Sequence, residues 1–297
     1  MKKILLILLF LSSIVVTTIA QKITTDLAVA EDSLVYYLTK ARNQETEHEK
    51  KAYNKIFKAK LNYLLIRNSK SFDYPFQKLS EHMSTIKSPD GVFRLFNWNI
   101  ELNKYGEHQY YCLIMKYDKK KDDYYVIDCK DKSKYARAPE YTQYTEKKWY
   151  GALYYDIIPV QKGSRTIYTL LAWDGNDISS NKKLIETMKF SGNTRVKFGD
   201  PIFKMEDERV KRRVIFQYKK DTYMSLKHEK IKKEDYIIFD HLSPTSPELE
   251  GIRDWYVTDL SFDAFVWQKG KWVYIKDIDA RIQKKFKTKY NDPLDKK

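Results

Sequence analysis

The chain has 297 residues, 55 lysines and arginines against 40 acids, and a formal net charge of +15. That length is ample for a sizeable core in one large domain or two. Nine glycines form no phosphate-cradling loop, and five dispersed histidines have no second histidine or carboxylate at i+4, so neither a zinc site nor a cofactor is expected.

Lys2 and Lys3 stand behind Met1, an apolar run continues from Ile4 to Val16, and Thr18-Ile19-Ala20 places small residues before a cut ahead of Gln21. This is the layout of a secretory signal peptide over residues 1–20. The run of about thirteen residues is short for crossing ~30 Å of hydrocarbon as a helix. The alternative is an uncleaved anchor. No second such run follows, so no integral membrane span is expected after cleavage, and no cysteine follows the cut to carry a lipid. The expected location is periplasmic or secreted.

Loss of Lys2 and Lys3 takes the charge from +15 to +13. A basic exported protein is suited to an anionic envelope polymer, lipid headgroups or an acidic glycan. The competing reading is solvated surface, because lysines spread along the whole chain. Export and the lack of a recognition motif exclude nucleic acid as a partner.

Residues 21–88 read as a helical N-terminal region. Ala30-Glu31-Asp32-Ser33 offers capping groups and first-turn acids, with Leu34, Tyr37, Leu38 and Ala41 on one face. A second helix is predicted from about Glu45 to Arg67. Its apolar stripe is Ala52, Ile56, Ala59, Tyr63 and Ile66, widened by Tyr53, Phe57, Leu61, Leu64 and Leu65. A short third helix after Pro75 carries Phe76, Leu79 and Met83.

Ser88-Pro89-Asp90-Gly91 is a turn signal, and from there the pattern is β. Residues 89–297 are assigned to an antiparallel β-rich domain. The fold class is α+β: a small helical N-terminal part followed by a large antiparallel β-domain, whether sandwich, curled sheet or barrel. Predicted strands include Val92 to Trp98 and the hairpin Gln109–Tyr117 with Tyr124–Cys129. A second hairpin turns at Gln161-Lys162-Gly163-Ser164. Arg212–Tyr218, Thr222–Lys227 and Tyr236–Phe239 read as a meander, and a last hairpin turns at Gln268-Lys269-Gly270-Lys271. Folding the first hairpin about Lys120–Lys121 sets Tyr117 against Tyr124, Ile114 against Ile127 and Cys112 against Cys129. Opposed Cβ atoms lie about 4.5–5.5 Å apart, near disulfide range, so an oxidising compartment predicts a Cys112–Cys129 disulfide. The alternative is two buried thiols.

The stretches Tyr154-Tyr155-Asp156-Ile157-Ile158-Pro159-Val160, Tyr168 to Asn176, Phe239-Asp240-His241-Leu242-Ser243-Pro244 and Pro247-Glu248-Leu249-Glu250-Gly251 go together. Over roughly residues 88–281 they make the chain resemble an uncharacterised family of exported bacterial proteins of Bacteroidetes type. The resemblance implies a source and a compartment, with no assigned activity and no catalytic residues.

The segment richest in chemistry is Asp240–Asp263, read as a long, acid-rich loop. Asp240, His241, Glu248 and Asp259 are the catalytic candidates, with Ser243 and Asp254 nearby; Glu250 and Asp263 are binding candidates. The acids there are suited to calcium, to acid–base work on a glycan, or to capping turns and pairing with lysines. Asp174-Gly175-Asn176-Asp177 is a second oxygen-rich loop, whose candidates Asp174, Asn176 and Asp177 lack the alternation of a calcium loop. A turn held by side-chain-to-backbone hydrogen bonds explains it better. There is no Gly-x-Ser-x-Gly elbow. Exposed aromatic rings could stack on sugars, although strand cores use the same residues. The expected function is a non-enzymatic envelope or secreted module that binds an anionic or glycan partner. The rival is a carboxylate-dependent hydrolase of envelope glycans.

Overall fold

The computed structural model describes residues 27–103, 105–206 and 208–278. The expected signal peptide lies outside them. Among the described residues no helix is long and apolar enough to cross a membrane. The chain divides into two compact units at His82–Met83.

The first unit holds helix α1 over residues 27–42, α2 over Glu47–Arg67 and the single turn α3 over Gln77–Ser80. α2 begins where its sequence marks a start. The Thr46 side chain accepts from the Glu49 amide at 3.2 Å, which caps the helix, and its hydroxyl donates to the Glu49 carboxylate at 2.7 Å. Leu34, Leu38 and Ala41 of α1 are buried as expected. The expected α1 start is corrected, because the backbone is already helical at residue 27. Glu31 is therefore no first-turn acid. It is buried inside α1, where its carboxylate accepts from the Leu79 amide and the Tyr74 hydroxyl, both at 2.9 Å, and so caps α3.

The α2 stripe is also corrected. Asn54, Phe57, Leu61 and Leu65 are the buried positions, and Ala52, Ile56, Ala59, Tyr63 and Ile66 are all exposed. The helix is apolar on two opposite faces, and the one packed inward carries the larger aliphatic and aromatic groups.

The second unit is a stack of three open sheets, none of which closes into a barrel. The first contains β1 (Phe93–Glu101), β2 (His108–Asp118) and β3 (Asp123–Lys130). The central sheet runs β4 (Tyr144–Thr145), β8 (Val196–Phe198), β7 (Ser180–Phe190), β6 (Arg165–Asp174) and β5 (Leu153–Lys162), with β10 (Val214–Lys219) also paired to β7. The third runs β11 (Leu226–Ile231), β12 (Glu234–Pro244), β13 (Tyr256–Gln268), β14 (Lys271–Ile275) and β9 (Phe203–Lys204). Pairing is antiparallel except between β14 and β9. The expected meander is corrected: β10 leaves β11 and β12 and joins β7.

The central sheet is buried on both faces, which is why β5 and β6 carry apolar runs rather than strict alternation. One face packs Tyr154, Ile157, Leu170 and Leu184 against Leu95, Cys112 and Ile114 of the first sheet. The other packs Ile158, Leu171 and Ile185 against Leu226, Ile237, Phe265 and Trp272 of the third. Two side chains bolt the layers together. Asn97 accepts from the Tyr154 amide at 2.6 Å, at the bulge where the β5–β6 ladder breaks. The Trp272 indole donates to Thr169 at 2.9 Å.

The β2–β3 register has Cys112 opposite Cys129, Ile114 opposite Ile127 and Tyr117 opposite Tyr124, as the turn predicts. The disulfide itself is not formed: both cysteines are buried free thiols. Opposed strand residues hold Cβ atoms about 4.5–5.5 Å apart, whereas a disulfide brings them to about 3.8 Å, so closure needs a local pinch of the two strands. Burial, then the hydrogen bond to Cys112, pushes the Cys129 thiol well above its ordinary pKa.

Candidate functional site

The third sheet reshapes the segment read as one long loop. Asp240–Pro244 ends β12, and Tyr256–Asp263 opens β13, so only residues 245–255 lie between the strands. The two strands are paired at Asp240–Phe262 and again at Leu242–Thr258. His241 alone on β12 therefore faces three residues, Asp259, Leu260 and Ser261, on β13. Bulges of this kind re-aim a side chain. The bulge is built by Asp259, whose carboxylate accepts from the Ser261 amide at 3.0 Å, the Ser261 hydroxyl at 2.6 Å and the Ser243 hydroxyl at 2.7 Å. Leu260 takes φ +70° and is 89 % exposed.

His241 is held between two carboxylates. Nδ1 lies 2.7 Å from Asp263 and Nε2 lies 4.0 Å from Asp259. Asp263 is buried and accepts three hydrogen bonds: from His241 Nδ1, from the Tyr274 hydroxyl at 2.6 Å and from the Asp277 amide at 3.1 Å. A carboxylate on Nδ1 keeps a proton there and fixes the orientation of the ring. Burial, then the bond to Asp263, pushes the Tyr274 hydroxyl above its ordinary pKa, so it remains a donor.

His241, Asp240, Asp263 and Tyr274 line a cavity of about 520 Å³. One wall is β10, through Phe216 and Gln217; another is the loop at Pro139–Tyr141. That loop is strapped from the core. Arg213, fully buried, pairs through Nε with Glu186 on β7 at 2.7 Å, and its Nη1 donates to the carbonyls of Pro139 and, at 2.9 Å, Thr142. The Glu140 carbonyl accepts from the Arg212 amide at 2.7 Å. Lys211 lies 3.4 Å from Glu140 and 3.0 Å from Glu208, so its charge is already paired.

Two carboxyls near His241 are driven in opposite directions. Burial raises Asp240, although the Ser225 amide and the charges of Lys227 and Lys183 oppose it. At Asp259 desolvation is outweighed by the hydrogen bonds from Ser261 and Ser243 and by the charge of His241, which hold it at about 2.

The expected candidates therefore separate. Asp240, His241, Asp259 and Asp263 come together at the cavity and its bulge. Glu248 and Glu250 are exposed on the 245–255 segment and stand outside the cavity lining. Asp254 accepts from Gln217 at 2.5 Å and fixes the β10 wall. Asp174, Asn176 and Asp177 form a turn held from within. Asp174 accepts from Tyr110 and from the Asn176 amide, and Asp177 from the amides of Ser179 and Ser180. Among the described residues no three of His, Cys, Asp and Glu converge as a metal site. Phe216, Gln217, Glu140, Lys211, Arg253 and Tyr274 line the cavity without having been expected. They come from strands and loops far apart in sequence, and only the alternation Trp272-Val273-Tyr274 marks one of them as inward-facing. No family model, no curated protein and no solved structure matches the chain.

Proposed function

We propose that the chain is an exported envelope or secreted binding protein, and that it holds a glycan segment in the cavity beside His241. The observation that carries this reading is the cavity itself. A roomy recess combines ring surface at Phe216 and Tyr274 with fixed hydrogen-bonding groups at His241, Gln217 and Asp240. Sugars are bound by that combination of ring faces and planar polar groups. The charge balance of the lining favours a neutral or amino-bearing glycan over an anionic one. Glu140, Glu208, Asp240 and Asp263 outnumber Lys211 and Arg253. A glycan array on the mature protein tests the proposal. A hit is expected, with His241→Ala and Phe216→Ala each weakening it about tenfold. No hit, or a hit indifferent to both substitutions, overturns it.

A hydrolytic second reading is favoured by one observation, the opposite displacement of Asp240 and Asp259 around a histidine. Carboxyls driven apart in this way are suited to acid and base roles. New reducing ends from a bound glycan, abolished by Asp240→Asn with binding retained, would establish this reading.

Export, as the signal-peptide layout and the resemblance to exported bacterial proteins imply, places the chain in an oxidising compartment. Both thiols are free in the structure, but they stand opposite one another, and in that compartment oxidation would close them after a local pinch of the strands. Thiol titration of the unfolded, unreduced protein is expected to find no free thiol; two would remove the crosslink.

A further inference from the structure

The second apolar face of α2 is left uncovered by the described residues. Ala52, Ile56, Ala59, Tyr63 and Ile66 recur at steps of four and three, and all are exposed, with Tyr63 at 66 % and Ile66 at 60 %. At 100° per residue they lie within about 80° of arc, directly opposite Phe57 and Leu61. Cations flank the stripe on both sides, with Lys55 on one and Lys60 and Arg67 on the other. From Lys50 to Arg67 the helix carries six cations and no acid. The basic and aromatic surface continues onto α1. Lys60 lies 5.1 Å over the Tyr37 ring, which meets the ring of the exposed Tyr36 at 5.2 Å.

We infer that this face of α2 docks on an anionic lipid surface. Charge selects the occupant. A second copy of α2 would set Lys55, Lys60 and Arg67 against cations of the same kind. The chain's own ends are basic as well. Residues 1–26 carry three lysines against one acid, and residues 279–297 carry seven cations against three acids. An anionic surface complements Lys55, Lys60 and Arg67, whose aliphatic stems flank the apolar stripe while the charged heads reach the headgroups. A bilayer is favoured over an acidic helix because the surface spans two helices, while one partner helix fills a single seam. Tyrosine suits the bilayer–water boundary, where its ring is covered and its hydroxyl stays wet. The inference is independent of the cavity and of what it binds.

Sedimentation of the full chain with vesicles tests it. Vesicles of equal parts phosphatidylglycerol and phosphatidylcholine are compared with phosphatidylcholine alone. The parent is expected to partition at least about tenfold more strongly onto the anionic vesicles, and about 0.5 M salt should abolish the difference. Two triple variants, Ile56→Gln with Tyr63→Gln and Ile66→Gln, and Lys55→Gln with Lys60→Gln and Arg67→Gln, should each lose about tenfold. All six positions lie outside the buried face of α2, and circular dichroism melting confirms that the variants fold. Comparison of variant with parent cancels any contribution of the Ile4–Val16 run. Equal partitioning of parent and variants overturns the inference. So does self-association of the parent that the apolar triple variant abolishes, which would make a second copy the occupant. Capture by polyglutamate without capture by anionic vesicles overturns it in favour of an acidic polypeptide.

Discussion

His241 owes its fixed orientation to Asp263, 2.7 Å from Nδ1. Three donors saturate that carboxylate in a buried site, so the imidazole is held in one orientation, with Nε2 on the side of Asp259 at 4.0 Å. Asp240, one residue earlier, is in the opposite condition: buried enough to be raised, yet still lining the cavity. A carboxyl raised on folding contributes stability that is fully present below its unfolded pKa, about 3.9, and lost as pH rises through the folded value. The parent should therefore lose stability relative to Asp240→Asn between about pH 4 and neutrality. The asparagine keeps an acceptor for the Ser225 amide, which lies 2.7 Å from the carboxylate. Urea denaturation of both proteins across that range measures the gap. A gap that moves in the parent's favour as pH rises would contradict the assignment.

At the scale of elements, the β12–β13 bulge concentrates the site. Its cost falls on Leu260, an exposed side chain at positive φ, where a residue other than glycine is strained by about 1 kcal/mol or more. Leu260→Gly should stabilise the protein by up to about 1 kcal/mol in thermal denaturation, after the added freedom of the unfolded chain is subtracted. A loss of stability instead would mean that the Leu260 side chain makes contacts the strand needs.

The bulge also marks where the sequence stops being legible. Turns with a local mechanism were readable: Gly91 takes positive φ after Ser88-Pro89-Asp90, and the polar run 118–123 sets the cysteine register. The acids and the histidine of the site were readable too, as residue types in an irregular stretch. Their grouping was not, because period-two alternation continues on both sides of the bulge and only the pairing reveals three residues facing one. The α2 face was misjudged for a related reason. Periodicity reports that a stripe exists, and a helix apolar on two sides has two; only packing decides between Ile56 and Phe57.

Over the whole molecule, the three-layer stack explains how a chain with few glycines and many lysines secures its interior. The central sheet has no wet face, so long apolar strands need no alternation, and the lysines keep to the outside. Among the described residues the exception is Lys183, fully buried on β7 with its ammonium 4.8 Å over the Tyr155 ring. Trp272 is the most consequential single side chain of the third layer. It is fully buried and bonded to Thr169 of the central sheet. Trp272→Ala should cost about 3–5 kcal/mol in urea denaturation, a large share of the stability of a domain. A loss below about 1 kcal/mol would mean that the two layers are not coupled through this residue.

The parallel pairing of β9 with β14 has a consequence for how the molecule is made. Phe203 and Lys204 leave the ribosome long before Trp272 and Val273, their neighbours in the finished sheet. The edge of the third layer therefore stays open until nearly the whole described chain has emerged, and no partial product can complete it. Completion of that layer is therefore a late step in folding, slow because its two halves are distant along the chain.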